Sequence, residues 1–167
     1  WWFKTFSQIF EPYLVILNSL PKIALGPIII IWVGAGMKAI IVMALAISLI
    51  VTVMELLNGF KHTDKDMIKM AKTFGATKAQ IFTKIVFPSN IPTLVNSLKI
   101  NLGLSLVGVI SGEFLVSKAG LGYLIVYGGQ VFKLDLVMAS VIILAVFAAV
   151  IYKVVLIFEK IVLKNRR

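Results

Sequence analysis

Residues 39–57 read AIIVMALAISLIVTVMELL, a run broken only by Ser48, Thr52 and the late Glu55. A helix needs about 20 mostly apolar residues to cross the hydrocarbon core of a bilayer, and this run meets that length. Working outward, Leu136–Tyr152 is a second such run, interrupted by Ser140 and ending at Lys153. A third extends from about Leu94 to Val116, with Lys99 near one end and Glu113 near the other. The fourth, Pro12–Trp32, contains Pro21 and Pro27 and the polar Asn18, Ser19 and Lys22. Proline removes an N–H and kinks a helix, and in lipid the freed carbonyls need neighbours. This segment reads either as one broken span or as an interfacial helix to Leu20 followed by a short span. The fold class is therefore all-α: a polytopic membrane helical bundle with about four transmembrane helices.

Composition agrees. Of 167 residues, 60% are hydrophobic and only 14% are charged. A soluble domain carries about 25% charged residues, and a disordered chain is far less apolar. Net charge is +10, from 17 Lys+Arg against 7 Asp+Glu. A nucleic-acid binder can reach that charge but not this mean hydropathy of +1.01, so no nucleic-acid partner is expected. With no cysteine, disulfides, thiol catalysis and Cys-ligated metals are excluded. The start, Trp1-Trp2-Phe3-Lys4, lacks the pattern of a signal peptide, and we read Trp1 as the cut edge of a longer protein.

The charges are unevenly placed. Residues 58–92 carry six lysines (61, 65, 69, 72, 78 and 84) against Asp64 and Asp66. The tail carries Lys160, Lys164, Arg166 and Arg167 against Glu159, whereas the links near Lys38 and from Lys118 to Asp135 are nearly neutral. The positive-inside rule puts the Asn58–Pro92 loop and the C-terminus in the cytoplasm. Trp32, Tyr123 and Tyr127 then fall near the outer interface, where aromatic side chains gather. Gly108 and Gly112 form a small-xxx-small pair, as do Ala145 and Ala149. Such spacing lets helices approach closely, and we expect packing within the chain rather than dimerisation.

The cytoplasmic loop has structure of its own. Thr63-Asp64-Lys65-Asp66 offers an N-cap with acids in the first turn. Met67, Ile68, Met70, Ala71 and Phe74 then form a helical apolar stripe, which Gly75 ends. Thr77-Lys78-Ala79-Gln80 has capping-box spacing and opens a second short helix with Ile81, Phe82, Ile85 and Val86 on its apolar face. Pro88 and Pro92 are expected to end the unit before the next span. Two short amphipathic helices at the membrane surface can anchor a loop or dock a partner.

The run Lys69-Met70-Ala71-Lys72-Thr73-Phe74-Gly75-Ala76, followed by Ile85-Val86-Phe87-Pro88, resembles the EAA loop of ABC-importer permease subunits. That pattern is E-A-A, three residues, G, nine residues, then I-x-L-P. Ala71, Gly75, Ile85 and Pro88 hold their places; Phe87 replaces leucine, Lys69 glutamate, and Met70 the first alanine. Leu20-Pro21-Lys22-Ile23-Ala24-Leu25-Gly26-Pro27 with Ile31-Trp32-Val33-Gly34, and Gly112-Glu113-Phe114 with Gly120-Leu121-Gly122-Tyr123, are similar to the nitrate/sulfonate/taurine-type permeases. The resemblance covers nearly the whole chain.

It implies one transmembrane domain over 1–167, the last four of six spans, with residues 58–92 as the coupling loop. It implies three protein partners: a cytoplasmic ATP-binding subunit, a second permease subunit in a homodimer or heterodimer, and an extracytoplasmic solute-binding protein. It also implies a bacterial inner membrane and a small solute of the sulfonate, nitrate, taurine or vitamin-precursor class. Ala71, Phe74, Gly75, Ala76, Ile81, Phe82, Ile85 and Pro88 would couple to the ATPase. Lys72 and Lys78 would meet acidic groups on the partner, solvent or lipid.

No nucleotide loop of the G-x-x-x-x-G-K-[ST] type is present, so the chain is read as a transport component and not an enzyme, with no cofactor and no metal. The lone His62 reads as solvated. Glu113, with Ser111 and Pro27, either lines the translocation path or gate, or Glu113 pairs with Lys118 or a backbone group. Glu55 is expected to snorkel or pair with Lys61. The alternatives are an ion-coupled secondary transporter or channel built on the broken span and Glu113, and a scaffold that binds a partner without moving a solute.

Overall fold

The structure, a computed structural model, describes residues 3–164; Trp1 and the tail charges Arg166 and Arg167 lie outside it. Among the described residues, regular structure is entirely helical. In chain order the helices are α1 (Lys4–Ser19), α2 (Gly26–Val33), α3 (Met37–Lys61), α4 (Lys65–Thr73), α5 (Lys78–Ile81), α6 (Phe87–Ser89), α7 (Ile91–Val116), α8 (Leu121–Gln130) and α9 (Leu134–Lys164). A 3-10 turn (Lys22–Leu25) precedes α2, and a π-helical turn (Phe82–Val86) joins α5 to α6.

Helices α3, α7 and α9 are each long and apolar enough to cross a membrane, and the broken pair α1 and α2 counts as a fourth if it forms one span. The break falls at Leu20-Pro21, where proline turns the preceding residue away from helical geometry. Alone, α1 has 16 residues and α2 has 8, so neither reaches the length a span requires. Pro27 sits in the first turn of α2, where a missing N–H costs nothing.

The chain divides into two compact units. The first comprises residues 1–19 and 50–98, the second residues 20–49 and 99–167. In the second unit, Ile29, Ala39 and Met43 form the core, with Ile30, Val42 and Val116 packed on it. A Cβ on Gly108 would lie 2.5 Å from the Ala44 Cα, and one on Gly112 2.9 Å from the Ile40 Cα. Both glycines therefore serve packing between α7 and α3 within the chain. Ala145 and Ala149 differ: they are exposed on α9, together with Val141, Ile142, Val146, Phe147 and Val150. Lys99 on α7 and Glu159 on α9 form an ion pair at 2.7 Å, with both side chains mostly covered.

The first unit holds the loop. Its buried apolar residues include Ile81, Val86 and Val95. Lys61 pairs with Glu11 of α1. Glu55 does not pair with Lys61; its carboxylate accepts from the Asn96 amide at 3.0 Å. The cause is helical phase, because six residues along a helix place Glu55 and Lys61 on different faces.

Candidate functional site: the loop between two spans

The first loop helix starts as its sequence dictates. The Asp64 carboxylate accepts the N–H groups of Asp66 and Met67, capping α4. At the other end Gly75 has φ +76. Its N–H donates to the Lys72 carbonyl at 2.9 Å, and the Ala76 N–H reaches back to the Ala71 carbonyl at 3.0 Å. These two bonds are the Schellman closure, which satisfies orphan carbonyls and requires a left-handed residue at position 75. A Cβ on Gly75 would meet nothing within 4 Å, so the surface beside the turn is open.

The second helix opens with the expected capping box. Gln80 N–H donates to the Thr77 hydroxyl at 3.3 Å, and Thr77 N–H donates to the Gln80 side-chain oxygen at 2.8 Å. Its continuation departs from expectation. The helix does not end at Pro88 but passes through it to Ser89, and Pro92 lies inside the first turn of α7. In an α-helix the Pro88 ring would collide with the carbonyl four residues back. The wider π turn at 82–86 lies where that collision would fall, and Phe87 N–H bonds the Phe82 carbonyl. The extra residue also changes which side chains point inward: Ile81, Val86 and Asn90 are buried, at spacings of five and four. Ile85 is only half-buried.

Sequence reasoning missed a polar node at this corner. Asn90, 5% exposed, donates to the Thr63 hydroxyl at 2.7 Å and to the Val86 carbonyl at 2.8 Å. Gly59 permits the approach, since a Cβ there would lie 2.7 Å from the Asn90 side-chain oxygen. The end of α3 is thereby tied to the start of α7, as buried polar groups demand partners. Phe82 packs edge-on against Phe60 at 5.8 Å and tilted against Phe87 at 6.3 Å, bracing the same corner. The signal was an asparagine between two prolines, which reads locally as a turn residue.

Of the eight residues expected to couple to a partner, Ala71, Phe74, Gly75, Ala76, Ile81 and Ile85 line one shallow concavity of about 390 Å³. Phe82 and Pro88 lie outside that lining. Within it, Phe74 is 83% exposed and Ile81 2%. Phe74 is thus available to a partner, whereas Ile81 supports the concavity from within.

The residues expected near a path or gate are arranged differently. The Glu113 carboxylate accepts the Gly122 N–H at 2.8 Å at the start of α8. A Cβ on Gly120, at φ +114, would fall 2.4 Å from that carboxylate. Glu113 therefore caps a helix that has no side-chain cap of its own, and charge and helix dipole agree. Of the two ends left open for it, the backbone partner is the one observed, not Lys118. Ser111 donates to the Val107 carbonyl of its own helix at 2.7 Å, and Pro27 is exposed on α2. Among the described residues no hydrogen bond or ion pair joins these three, and no three His, Asp or Glu side chains converge on a metal position.

Comparison with known proteins gives the family. The chain is 28% identical over 149 residues to a probable ABC transporter permease of Haemophilus influenzae, covering 89% of this chain and 61% of that protein. It is 26% identical to the taurine transport permease of Escherichia coli, over 86% of this chain and 52% of that protein. It is 30% identical to the formylaminopyrimidine transport permease of Halalkalibacterium halodurans, over 73% of this chain and 49% of that protein. The chain thus spans about half to three-fifths of the length of these relatives. The family profile matches residues 1–167 in full. The chain belongs to the binding-protein-dependent transport system inner membrane components, the permease family of the ABC importers, and is a multi-pass membrane protein.

Proposed function

We propose that the chain is the C-terminal part of one transmembrane domain of an ATP-driven importer, and that residues 58–92 couple it to a cytoplasmic ATP-binding subunit. The observation that carries this reading is Phe74, 83% exposed beside the open left-handed turn at Gly75. An amphipathic helix that presents an aromatic anchor beside a concavity suits docking into a groove. Phe74, Gly75, Ala76 and Ala71 then touch the ATPase, while Ile81, Phe82, Ile85 and Pro88 hold the loop helices against their spans. The Asn90–Thr63 bond gives a displaced loop a direct hold on α3 and α7. ATP-driven closure of two nucleotide subunits is passed through that hold, and the path alternates between two arrangements.

The loop and the C-terminus lie on the cytoplasmic side of a bacterial inner membrane, a reading supported by the six loop lysines. A second permease subunit completes the path, and a solute-binding protein delivers a small solute of the sulfonate, nitrate, taurine or vitamin-precursor class. The relatives named for taurine and formylaminopyrimidine transport support that range. The ion-coupled alternative is not favoured, because the Glu113 carboxylate is engaged by a backbone N–H.

The test is Phe74→Ala in the full-length protein, compared with Phe132→Ala at another exposed aromatic, 88% exposed. Loss of ATPase co-purification in the first variant alone is expected, with both inserting normally. Equal co-purification in both would overturn the docking assignment.

A further inference from the structure

A second, larger concavity lies in the first unit, about 1160 Å³ in volume, and has no part in the docking surface beyond the shared wall at Ile81. Five lysines line it: Lys61, Lys65, Lys69, Lys72 and Lys78, with no carboxylate among the lining residues. Lys61 and Lys69 have acidic partners, Glu11 and Asp66. Lys65, Lys72 and Lys78 are exposed and have no ion-pair partner among the described residues. The side formed by the start of α1 is mixed, with Phe3 and Phe6 beside Thr5, Ser7 and Gln8, and Ile68 lies among the lysines of α4.

Two further observations narrow the occupant. Helix α3 ends at Lys61, four residues past its apolar run and in the wall of the groove. With 25 residues α3 is about 37 Å long, against about 30 Å of hydrocarbon, so this end reaches headgroup depth. From Phe6 an exposed aromatic stripe continues along α1 through Phe10, stacked at 4.1 Å, to Tyr13. A cationic pocket that opens onto an exposed apolar stripe matches a molecule with an anionic head and a hydrocarbon tail.

We propose that this groove is a binding site for an anionic phospholipid. Its phosphate sits among Lys65, Lys72 and Lys78, and an acyl chain lies along Phe6 and Phe10. Clustered lysines at the end of a span attract such headgroups, each contributing an increment of similar size. The inference does not depend on the ATPase docking at Phe74, so either can fail without the other.

The test titrates the full-length protein in micelles with phosphatidylglycerol, with phosphatidylcholine of equal chain length, and with inorganic phosphate, read by native mass spectrometry. Phosphatidylglycerol is expected to bind more tightly than phosphatidylcholine by about tenfold or more, a preference lost in the triple variant Lys65→Gln, Lys72→Gln, Lys78→Gln. The corresponding arginine triple is expected to keep it, which separates lost charge from lost fold. A control triple at exposed lysines elsewhere, Lys38→Gln, Lys118→Gln, Lys133→Gln, is also expected to keep it. Equal affinity for the two lipids, equal loss in the two glutamine triples, or loss in the arginine triple overturns the site. Displacement of the lipid by millimolar inorganic phosphate assigns the groove to a free anion and overturns the lipid.

Discussion

Substitution at Gly75 isolates one physical term. The residue has φ +76, and a Cβ there would meet nothing within 4 Å. Crowding is therefore absent among the described residues, and the cost of a side chain is backbone strain. For alanine in the left-handed region that cost is about 1 kcal/mol, and for a β-branched valine about 2 kcal/mol or more. Asparagine tolerates the region and costs less than alanine. The strain falls on the turn closed by the Gly75 and Ala76 N–H groups, so local opening reports it.

Hydrogen exchange across residues 70–78 of the full-length protein measures this opening. Protection is expected to fall about fivefold in Gly75→Ala and about thirtyfold in Gly75→Val, with Gly75→Asn nearest the parent. Association with the ATPase should follow the same order if the turn must be formed before docking. Equal protection in all four proteins, or valine no worse than asparagine, would refute a left-handed residue 75. An order set by side-chain volume in association, with protection unchanged, would instead mean contact with the partner.

Two other outcomes follow from the packing. Glu113→Gln keeps an oxygen for the Gly122 N–H and is expected to cost about 1 kcal/mol or less, while Glu113→Ala leaves that N–H uncapped and costs about 1–3 kcal/mol. Thermal unfolding of both variants checks this, and an inactive Glu113→Gln protein of parental stability would return Glu113 to the translocation path. Lys99→Met and Glu159→Met should each destabilise by about 3–5 kcal/mol, and the double variant by much less, since a lone charge is worse than none in a covered position. A double-mutant cycle with no coupling would show that the pair does not form.

The spans were legible because length and hydropathy alone decide them. The caps at Asp64 and Thr77 were legible because they depend on contacts three residues apart or fewer. Gly75 was legible because a helix that must stop and turn left requires such a residue. What escaped depended on partners distant in sequence: Asn90 with Thr63, Lys99 with Glu159, and Asn96 with Glu55. Glu113 was an intermediate case. Its position near the end of a span was plain, but its backbone partner nine residues on required the turn at Gly120 to be seen. The eight expected coupling residues share one stretch of sequence but not one environment, because burial at Ile81 and exposure at Phe74 depend on helical phase.

The π turn at 82–86 has a consequence for how insertions and deletions can occur here. Each residue of an α-helix advances the face by about 100°. The π turn takes up one residue of that advance, so Ile81 and Val86, five apart, share a side as residues four apart do in an α-helix. Deleting one residue inside the turn would close it as an ordinary α-helical turn and leave the loop helices in phase with α7, but it would bring the Pro88 ring back against the carbonyl four residues before it. Deleting one residue on either side of the turn has no such slack and would rotate the loop helices against α7 by more than a quarter turn. A sequence variant of that second kind would keep its spans and its hydropathy profile and still present the wrong face of the loop to whatever it docks.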